Sequence, residues 1–530
     1  MDLTPKTVAV LCRQLQISPP LTEVPLAKIR GTKFAPKKLP FGPDLCLVGK
    51  KECHLIYALG TGGLPKWVIE ASSKLKRFKN THVTILAINT ATAVGYKNAG
   101  NVAEQCIKLG YGLAVESVDG CFLVFPPSYK MPATRSCKNE VGHVPIWIRF
   151  SLLRAANLSE HVRKAAFKLH RGYEKAAVKN HISYDDECLL LMGFAHSLRK
   201  GDTRLFCPVD SLTVLKDFEH AGGKPGARDH FFHTFNNLFL GFHILANLAG
   251  TRRHNSIPDR FIAPAWNQLR PALKLWESLW ALTCLFHDRG YMGENFWQTF
   301  AVALGADAEI DDDIATPDPV ITRINNAWDR EFFDARNDLA ELFKRVAGLW
   351  NLSGFGGSPP ANQFDLALRC AYFNGRNCGH SLVSGLNLIN RCKKSKAAPP
   401  NNYDKEKALK ACVIAALSMM FHDPHSRSTL IEKGVPPISF EDLPYATTLM
   451  FADAIQDDRR DITTNVFPAE GVLESISVTP KKVLATVCLA KIPVKWWPGK
   501  IVEYESVMSW INATSETQFI IDYRTRLKSV

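Results

Sequence analysis

Hydrophobic and polar positions follow different periods in successive parts of the chain. Short apolar runs predict strands at CHLIYALG and HVTILAIN. The segments after them, PKWVIEASSKLKRF and NAGNVAEQCIKLG, have helical spacing, and the second ends in a glycine suited to close a helix. GLAVESVDGCFLVFPP predicts a hairpin around a Val-Asp-Gly turn. The pattern predicts a small α/β domain over 51–150, after a basic, proline-containing lead-in over 1–50.

The central part of the chain is patterned almost entirely as helix. HVRKAAFKLHRGYEKAAVK predicts a helix within a connector over 151–215. The segments that follow share helical spacing of apolar residues: FFHTFNNLFLGFHILANLAG, ALKLWESLWALTCLFHD, AWDREFFDARNDLAELFKRVAGLW, SLVSGLNLINR, EKALKACVIAALSMMFHD and YATTLMFADAIQD. They predict an all-α domain over 216–470.

Beyond residue 470 the pattern changes to short strands. SISVTP, KVLATVCLAKI and FIIDYR predict strands around a helix at ESVMSWIN. VKWWPGK, at 494–500, is interpreted as part of a packed hairpin. We therefore expect a β-rich α+β appendage over 471–530. The predicted fold class is multidomain: a small N-terminal α/β domain, a central all-helical domain and a small C-terminal α+β appendage.

Composition limits the class of protein. The chain has 530 residues, of which 46% are hydrophobic and 22% charged, as in globular proteins. No apolar run approaches the roughly 20 residues that span a bilayer, and the first twenty residues show no cleavage site of a secretory signal. Fourteen cysteines without a CxxC pair argue against a zinc ribbon and a disulfide framework. We expect a soluble, cytoplasmic protein with no membrane partner.

Positive charge is concentrated near the start of the chain. The formal net charge is +14, and residues 1–80 contain 14 Lys or Arg against 5 Asp or Glu. Clustered cations attract phosphate, so a nucleic-acid or nucleotide partner is one interpretation. An ordinary solvated basic surface is the other. Oligomeric state is left open by the sequence.

The predicted central helices carry histidines at their ends and along their apolar faces. These are His230, His233, His287, His380 and His422. Neutral imidazole binds divalent transition metals, carboxylate supplies the neutralising charge, and converging helices hold such ligands rigidly. A His-Asp pair alone is more often an ordinary polar helix end. The prediction of a metal site therefore depends on the order of the whole set.

That order resembles the HD superfamily of metal-dependent phosphohydrolases. In the superfamily a His is followed by a His-Asp pair on a later helix and then by a distal Asp, and this chain is most similar at LFHDRGY and LMFADAIQD, within residues 225–460. Two further histidines before the distal Asp are similar to the binuclear members. The resemblance implies these metal ligands, with His230 as the alternative first ligand: His233, His287, Asp288, His380, His422 and Asp453.

The resemblance also implies an activity. Two divalent transition ions, of Fe, Mn, Zn, Co or Ni, would supply a metal-activated hydroxide. The implied enzyme is a hydrolase of the phosphodiesterase type that acts on a nucleotide or another phosphoester. Asp288 would be the bridging carboxylate. Arg289 stands where relatives commonly have an apolar residue and is assigned a catalytic role, and Lys224, Arg289 and Arg376 are the candidate contacts to substrate phosphate.

Alternatives remain open at this point. His380, His422 with Asp423, and Asp453 spell the same motif by themselves, which would give two sites; one composite site uses each histidine once and is preferred. A catalytically degenerate HD bundle could serve as a ligand-sensing or assembly scaffold. A third interpretation is a nucleic-acid-binding protein or nuclease that uses the basic N-terminal region.

Overall fold

The computed structural model describes about half of the chain. The described residues are 22–23, 43–48, 52–59, 80–87, 102–103, 105–117, 120–125, 157–177, 184–199, 230–250, 275–288, 380–394, 402–423, 437–456, 472–492 and 494–524, with the single positions 64, 66, 70, 75, 78, 127, 338 and 427. These residues are mostly helical, with two small sheets, as the sequence predicts. None of the described helices combines the length and apolar character needed to cross a bilayer.

The N-terminal sheet contains six strands in chain order. They are β1 (Thr22–Glu23), β2 (Leu45–Val48), β3 (Cys53–Leu59), β4 (Thr81–Ala87), β5 (Gly112–Ser117) and β6 (Gly120–Phe125). β3, β4 and β5 run parallel, and the other neighbouring pairs are antiparallel. The parallel strands require crossover connections, which agrees with the alternation of strand and helix in the sequence.

Two local predictions in this region are confirmed. The helical residues 105–109 end at Gly110, whose φ of 72° suits a residue without a Cβ. The N–H of Tyr111 donates to the carbonyl of Cys106 at 2.8 Å, and the N–H of Gly110 to that of Ile107 at 3.1 Å, the pair of bonds that closes a Schellman motif. The predicted hairpin is the antiparallel pair β5–β6.

The described residues include eight α-helices of 12 residues or more. They are α1 (Glu160–Ala177), α2 (Tyr184–Arg199), α3 (His230–Gly250), α4 (Leu275–Phe286), α5 (His380–Lys394), α6 (Asn402–Met420), α7 (Pro444–Ile455) and α8 (Trp497–Asn512). α4 packs against α3, α5, α6 and α7, so it is the central helix of this bundle. Trp280 of α4 is fully buried, and its indole N–H donates to the Leu238 carbonyl of α3 at 2.9 Å.

The C-terminal sheet has the order β7-β8-β9, with β7 at Leu473–Thr479, β8 at Lys482–Cys488 and β9 at Gln518–Arg524. The hairpin interpretation of VKWWPGK is wrong. Val494–Trp496 form a 3-10 turn, and α8 begins at Trp497. Pro498 lies in the first turn of α8, where its missing N–H removes no helical hydrogen bond.

The chain divides into two compact units. The first contains residues 1–140, 486–506 and 522–530, and therefore the N-terminal sheet. The second contains residues 141–485 and 507–521, and therefore the bundle around α4. The glycine-rich segment GTGG at 60–63 and the acidic segment EIDDDIATPD at 309–318, for which the sequence favours a plain turn and a solvated loop, lie outside the described residues.

Candidate metal centre

Helix ends bring the candidate ligands of the second unit together. His233 lies in the first turns of α3, His380 is the first residue of α5, and Asp453 lies near the end of α7. His287 and His422 follow the last residues of α4 and α6 in turns. Because α4 contacts the other four helices, its C-terminal end is placed where their ligands can meet.

The two Phe-His-Asp triplets share one local geometry. The ring Nδ1 of His287 lies 2.6 Å from the carbonyl oxygen of Cys284, and Nδ1 of His422 lies 2.7 Å from that of Met419. A carbonyl oxygen only accepts, so each Nδ1 must carry the proton and donate it. In the neutral ring each Nε2 is consequently left with a lone pair, the form in which imidazole binds a metal ion.

His233 reaches the same tautomer through a side chain. Its Nδ1 forms a buried hydrogen bond to the amide oxygen of Gln456. Its Nε2 lies 2.6 Å from Asp453 Oδ1 and 3.4 Å from His287 Nε2. Three histidines from three helices therefore direct Nε2 into one space.

Asp288 stands between two groups of ligand atoms. Its Oδ2 lies 3.5 Å from His233 Nε2. Its Oδ1 lies 3.3 Å from His287 Nε2, 3.6 Å from His422 Nε2 and 3.9 Å from His380 Nε2. The two oxygens of one carboxylate thus face different histidines, as in a carboxylate that bridges two ions.

Within this cluster, two sets of three side chains have donor atoms close enough to hold an ion. His233, His287 and Asp453 form one, and His287, Asp288 and His422 form the other, with the donor atoms of each set within 4.8 Å of one another. His380 Nε2 adjoins the second set, 3.2 Å from His422 Nε2. All six predicted ligands lie in this one cluster.

Asp423, the aspartate of the second triplet, belongs to neither set. It is buried, and its backbone carbonyl accepts the N–H of Arg427 at 3.0 Å. The guanidinium of Arg427 donates to the carbonyls of Phe421 at 3.3 Å and His422 at 3.0 Å. A cation at these free carbonyls stabilises the end of α6, so this part of the second triplet closes a helix.

The cluster is buried except along one edge. His233 and His287 are fully buried and Asp288 is 2% exposed, whereas the Asp453 side chain is 15% exposed. Burial lowers the pKa of His287, although the charges of Asp288 and Asp453 oppose it. Burial also lowers the pKa of His422, but the Asp288 hydrogen bond and the two aspartate charges outweigh it, so the net change is upward. A buried carboxylate next to a second, partly buried one favours compensating positive charge, which divalent ions supply.

Sequence reasoning missed two polar side chains of the cluster. Asn237 Nδ2 lies 3.0 Å from His233 Nε2, 3.4 Å from His287 Nε2 and 3.3 Å from Asp453 Oδ1. If this amide were rotated by 180°, its oxygen would face the same space and would serve there as a ligand to an ion. Asn237 stands four residues after His233, and Gln456 three residues after Asp453. The first spacing places Asn237 on the same face of α3 as His233, which was an available signal. Gln456 lies just beyond the end of α7, in extended backbone.

Four predicted positions lie wholly or partly outside the described residues. His230 begins α3, but its side chain is not among the described ones. Lys224, Arg289 and Arg376 are outside altogether, so their assignment to substrate phosphate stays a prediction.

No family model, curated protein or solved structure matches this chain. The resemblance to the HD superfamily accordingly stays a prediction. The geometry shows a buried histidine and aspartate cluster whose donor atoms lie within reach of metal ions.

Proposed function

We propose that this chain is a metal-dependent phosphohydrolase of the HD type, acting on a nucleotide or another phosphoester. The observation that carries the proposal is the arrangement around Asp288. Its two oxygens face different histidines, and three of these histidines have Nδ1 held by an acceptor. A structural His-Asp pair at a helix end requires none of this.

Two ions are the number that the ligand arrangement favours. His233, His287 and Asp453 would hold one, and His380, His422 and Asp288 the other, with Asp288 shared. Nitrogen and carboxylate donors suit Fe, Mn, Zn, Co or Ni. When bound, such ions lower the pKa of a coordinated water and neutralise charge on a phosphoryl oxygen.

Residues around the cluster orient the metal ligands and limit the access of water to them. Gln456 and the carbonyls of Cys284 and Met419 fix the histidine tautomers, which keeps each Nε2 available for coordination. Asp453 and His380 have more exposed side chains than the other ligands, so their edge is where we expect substrate to enter. Burial of the remaining ligands limits access of bulk water.

The test compares Asp288→Asn with Asp423→Asn, because both aspartates follow Phe-His but only Asp288 belongs to the metal-binding sets. Metal content is measured by elemental analysis, and turnover is measured across a panel of nucleotides and phosphodiesters. We expect about two metal equivalents in the cluster around Asp288 of the unmodified chain. Asp288→Asn should lose most of the metal bound in this cluster and more than about 100-fold of the turnover, as expected for removal of an electrostatic catalytic group, and folded Asp423→Asn should retain both.

Other outcomes favour the alternatives. A folded chain that binds little metal and turns over no member of the panel would contradict the proposal and favour the scaffold. Metal-independent binding to DNA or RNA that weakens steeply with added salt would favour the nucleic-acid interpretation, because released counterions produce that dependence.

A further inference from the structure

A second group of metal-ligating side chains lies on the N-terminal sheet. His54 of β3 and His82 of β4 are register partners in a parallel pair of strands, so both side chains emerge on the same face. Glu52 precedes His54 by two residues and therefore shares that face. The sheet itself thus brings two imidazoles and a carboxylate together.

The three side chains converge closely. His54 Nε2 lies 3.7 Å from Glu52 Oε1, and His82 Nε2 lies 3.8 Å from Glu52 Oε2. The imidazole ring centroids are 5.0 Å apart, and one donor atom from each residue lies within 4.8 Å of the others. Ligands around a tetrahedral zinc ion stand roughly 3.4 Å apart, given bond lengths of about 2.1 Å. Small side-chain rotations would close the remaining gap.

His54 is the residue that needs an explanation. Its side chain is 6% exposed, yet neither ring nitrogen has a hydrogen-bond partner among the described residues. A buried polar group left in this condition destabilises a fold.

The exposure of the other two residues leaves one side of the group open. The His82 side chain is 27% exposed and that of Glu52 is 44% exposed. An ion held by all three would therefore meet solvent, and water could complete its coordination. Ile56 and Thr84 are the next residues of this face along the two strands, and both are fully buried.

We propose that Glu52, His54 and His82 bind a divalent transition ion of the zinc class, with three protein ligands and one water. Two histidines and one carboxylate form a ligand set that zinc uses when one position stays open. The ion would give His54 a partner and would link β3 to β4. This site is separate from the cluster around Asp288 and does not depend on the proposed hydrolysis.

The test counts zinc on the full chain. Protein stripped with a chelator is titrated with Zn²⁺ in competition with a chromophoric chelator. The His82→Gln protein should bind one zinc equivalent fewer than the unmodified chain. Glu52→Gln should lower the zinc affinity of this site by more than about tenfold, because losing a ligand weakens metal binding at least as much as losing a residue that orients a ligand. His170→Gln is the matched control, because His170 pairs with Glu174 at 3.1 Å in a His-Glu contact outside any three-ligand group.

A second comparison separates this site from the bundle. Asp288→Asn should retain one zinc equivalent, and adding His82→Gln to it should remove that equivalent. The proposal is overturned if His82→Gln and Glu52→Gln both bind zinc as the unmodified chain does. It is also overturned if Asp288→Asn alone abolishes zinc binding. Because Glu52 is the most exposed of the three, its variant keeps the test valid should His82→Gln fail to fold.

Discussion

At the residue scale, the candidate metal centre depends on which nitrogen of each histidine carries the proton. His287 and His422 use the carbonyl three residues earlier, an acceptor that every sequence provides at a helix end. His233 lies inside a helix, where its nearby carbonyls are engaged, and it relies on Gln456. Only this third acceptor can be altered by substitution, so it offers a direct test of the tautomer argument.

We expect Gln456→Leu to weaken metal binding by about 10–100-fold, the range observed when a partner of a ligating histidine is removed. The substitution is close in volume and leaves all six candidate ligands in place. Gln456→Glu is the control, because it keeps an oxygen acceptor for Nδ1 and should retain affinity. Chelator competition measures the metal dissociation constants of both variants. An equal loss of metal affinity in both would contradict the tautomer argument.

His243 makes a pH dependence predictable. Burial lowers its pKa from 6.5 to about 4. Between these values the unfolded chain binds more protons than the folded one, so acidification favours unfolding and stability rises with pH. His243→Gln removes this contribution. We expect the free energy of unfolding of the unmodified chain to fall by on the order of 2 kcal/mol more than that of the variant between pH 7 and pH 4.

Urea titrations at several pH values, with a chelator present for both proteins, measure this difference. Parallel pH profiles for the two proteins would show that burial of His243 does not set its pKa.

At the element scale, close contact between α3 and α4 fixes where His287 stands relative to His233. Gly241 of α3 lies against the indole of Trp280, and a Cβ at this position would overlap the ring. Trp280 in turn donates to Leu238, and the Cys284 thiol donates to the Thr234 carbonyl at 3.3 Å. These contacts hold the two helices in one relative position.

Gly241→Ala should therefore destabilise the protein by about 1–3 kcal/mol, the range for overpacking a core, despite the better helix propensity of alanine. Gly193→Ala is the matched control. Gly193 also lies in a helix, but no atom stands within 4 Å of its added Cβ, so alanine there should stabilise by about 0.5–1 kcal/mol. Chemical denaturation measures both, and a gain of stability in both variants would contradict the packing argument.

The helices and strands were largely predictable because their signals are local. Apolar periodicity located α3, α4 and β3, and a terminal glycine located the end at Gly110. VKWWPGK was misread because two tryptophans weigh towards a strand, whereas the proline in a first helical turn was the better signal. The close contact between Trp280 and Gly241 depends on how two helices pack together, so neither helix sequence alone predicts it.

In the candidate site, too, local sequence signals predicted some features, and features that depend on several elements were missed. The order of histidines and aspartates along the chain indicated which residues to examine, and the described residues place all six together. The partners Asn237 and Gln456 were missed, since asparagine and glutamine carry no metal signal of their own. The second group, at His54, depends on the register of β3 against β4, which periodicity alone does not supply.

At the scale of the whole molecule, residues distant in sequence support the helix that carries Asp453. The ring of Phe519 packs 5.4 Å from that of Phe440 and 5.1 Å from that of Phe451, a residue of α7. The carboxylate of Glu441 accepts the N–H groups of Glu516 and Thr517, each at 3.1 Å. Residues 516–519 are therefore part of the structure that positions α7.

Phe519→Ala tests whether this support reaches the metal centre. Removing a fully buried phenylalanine should lower the free energy of unfolding by about 3–5 kcal/mol. Since Phe451 is two residues from Asp453, a loosened α7 should also weaken metal binding by about tenfold, because misplaced ligands lose coordination geometry. Asp522→Asn, on the same strand but exposed, should change neither quantity.

Denaturant titration of the stripped protein and metal competition of the folded protein separate the two effects. Lower stability with unchanged metal affinity would show that β9 supports the fold without positioning Asp453.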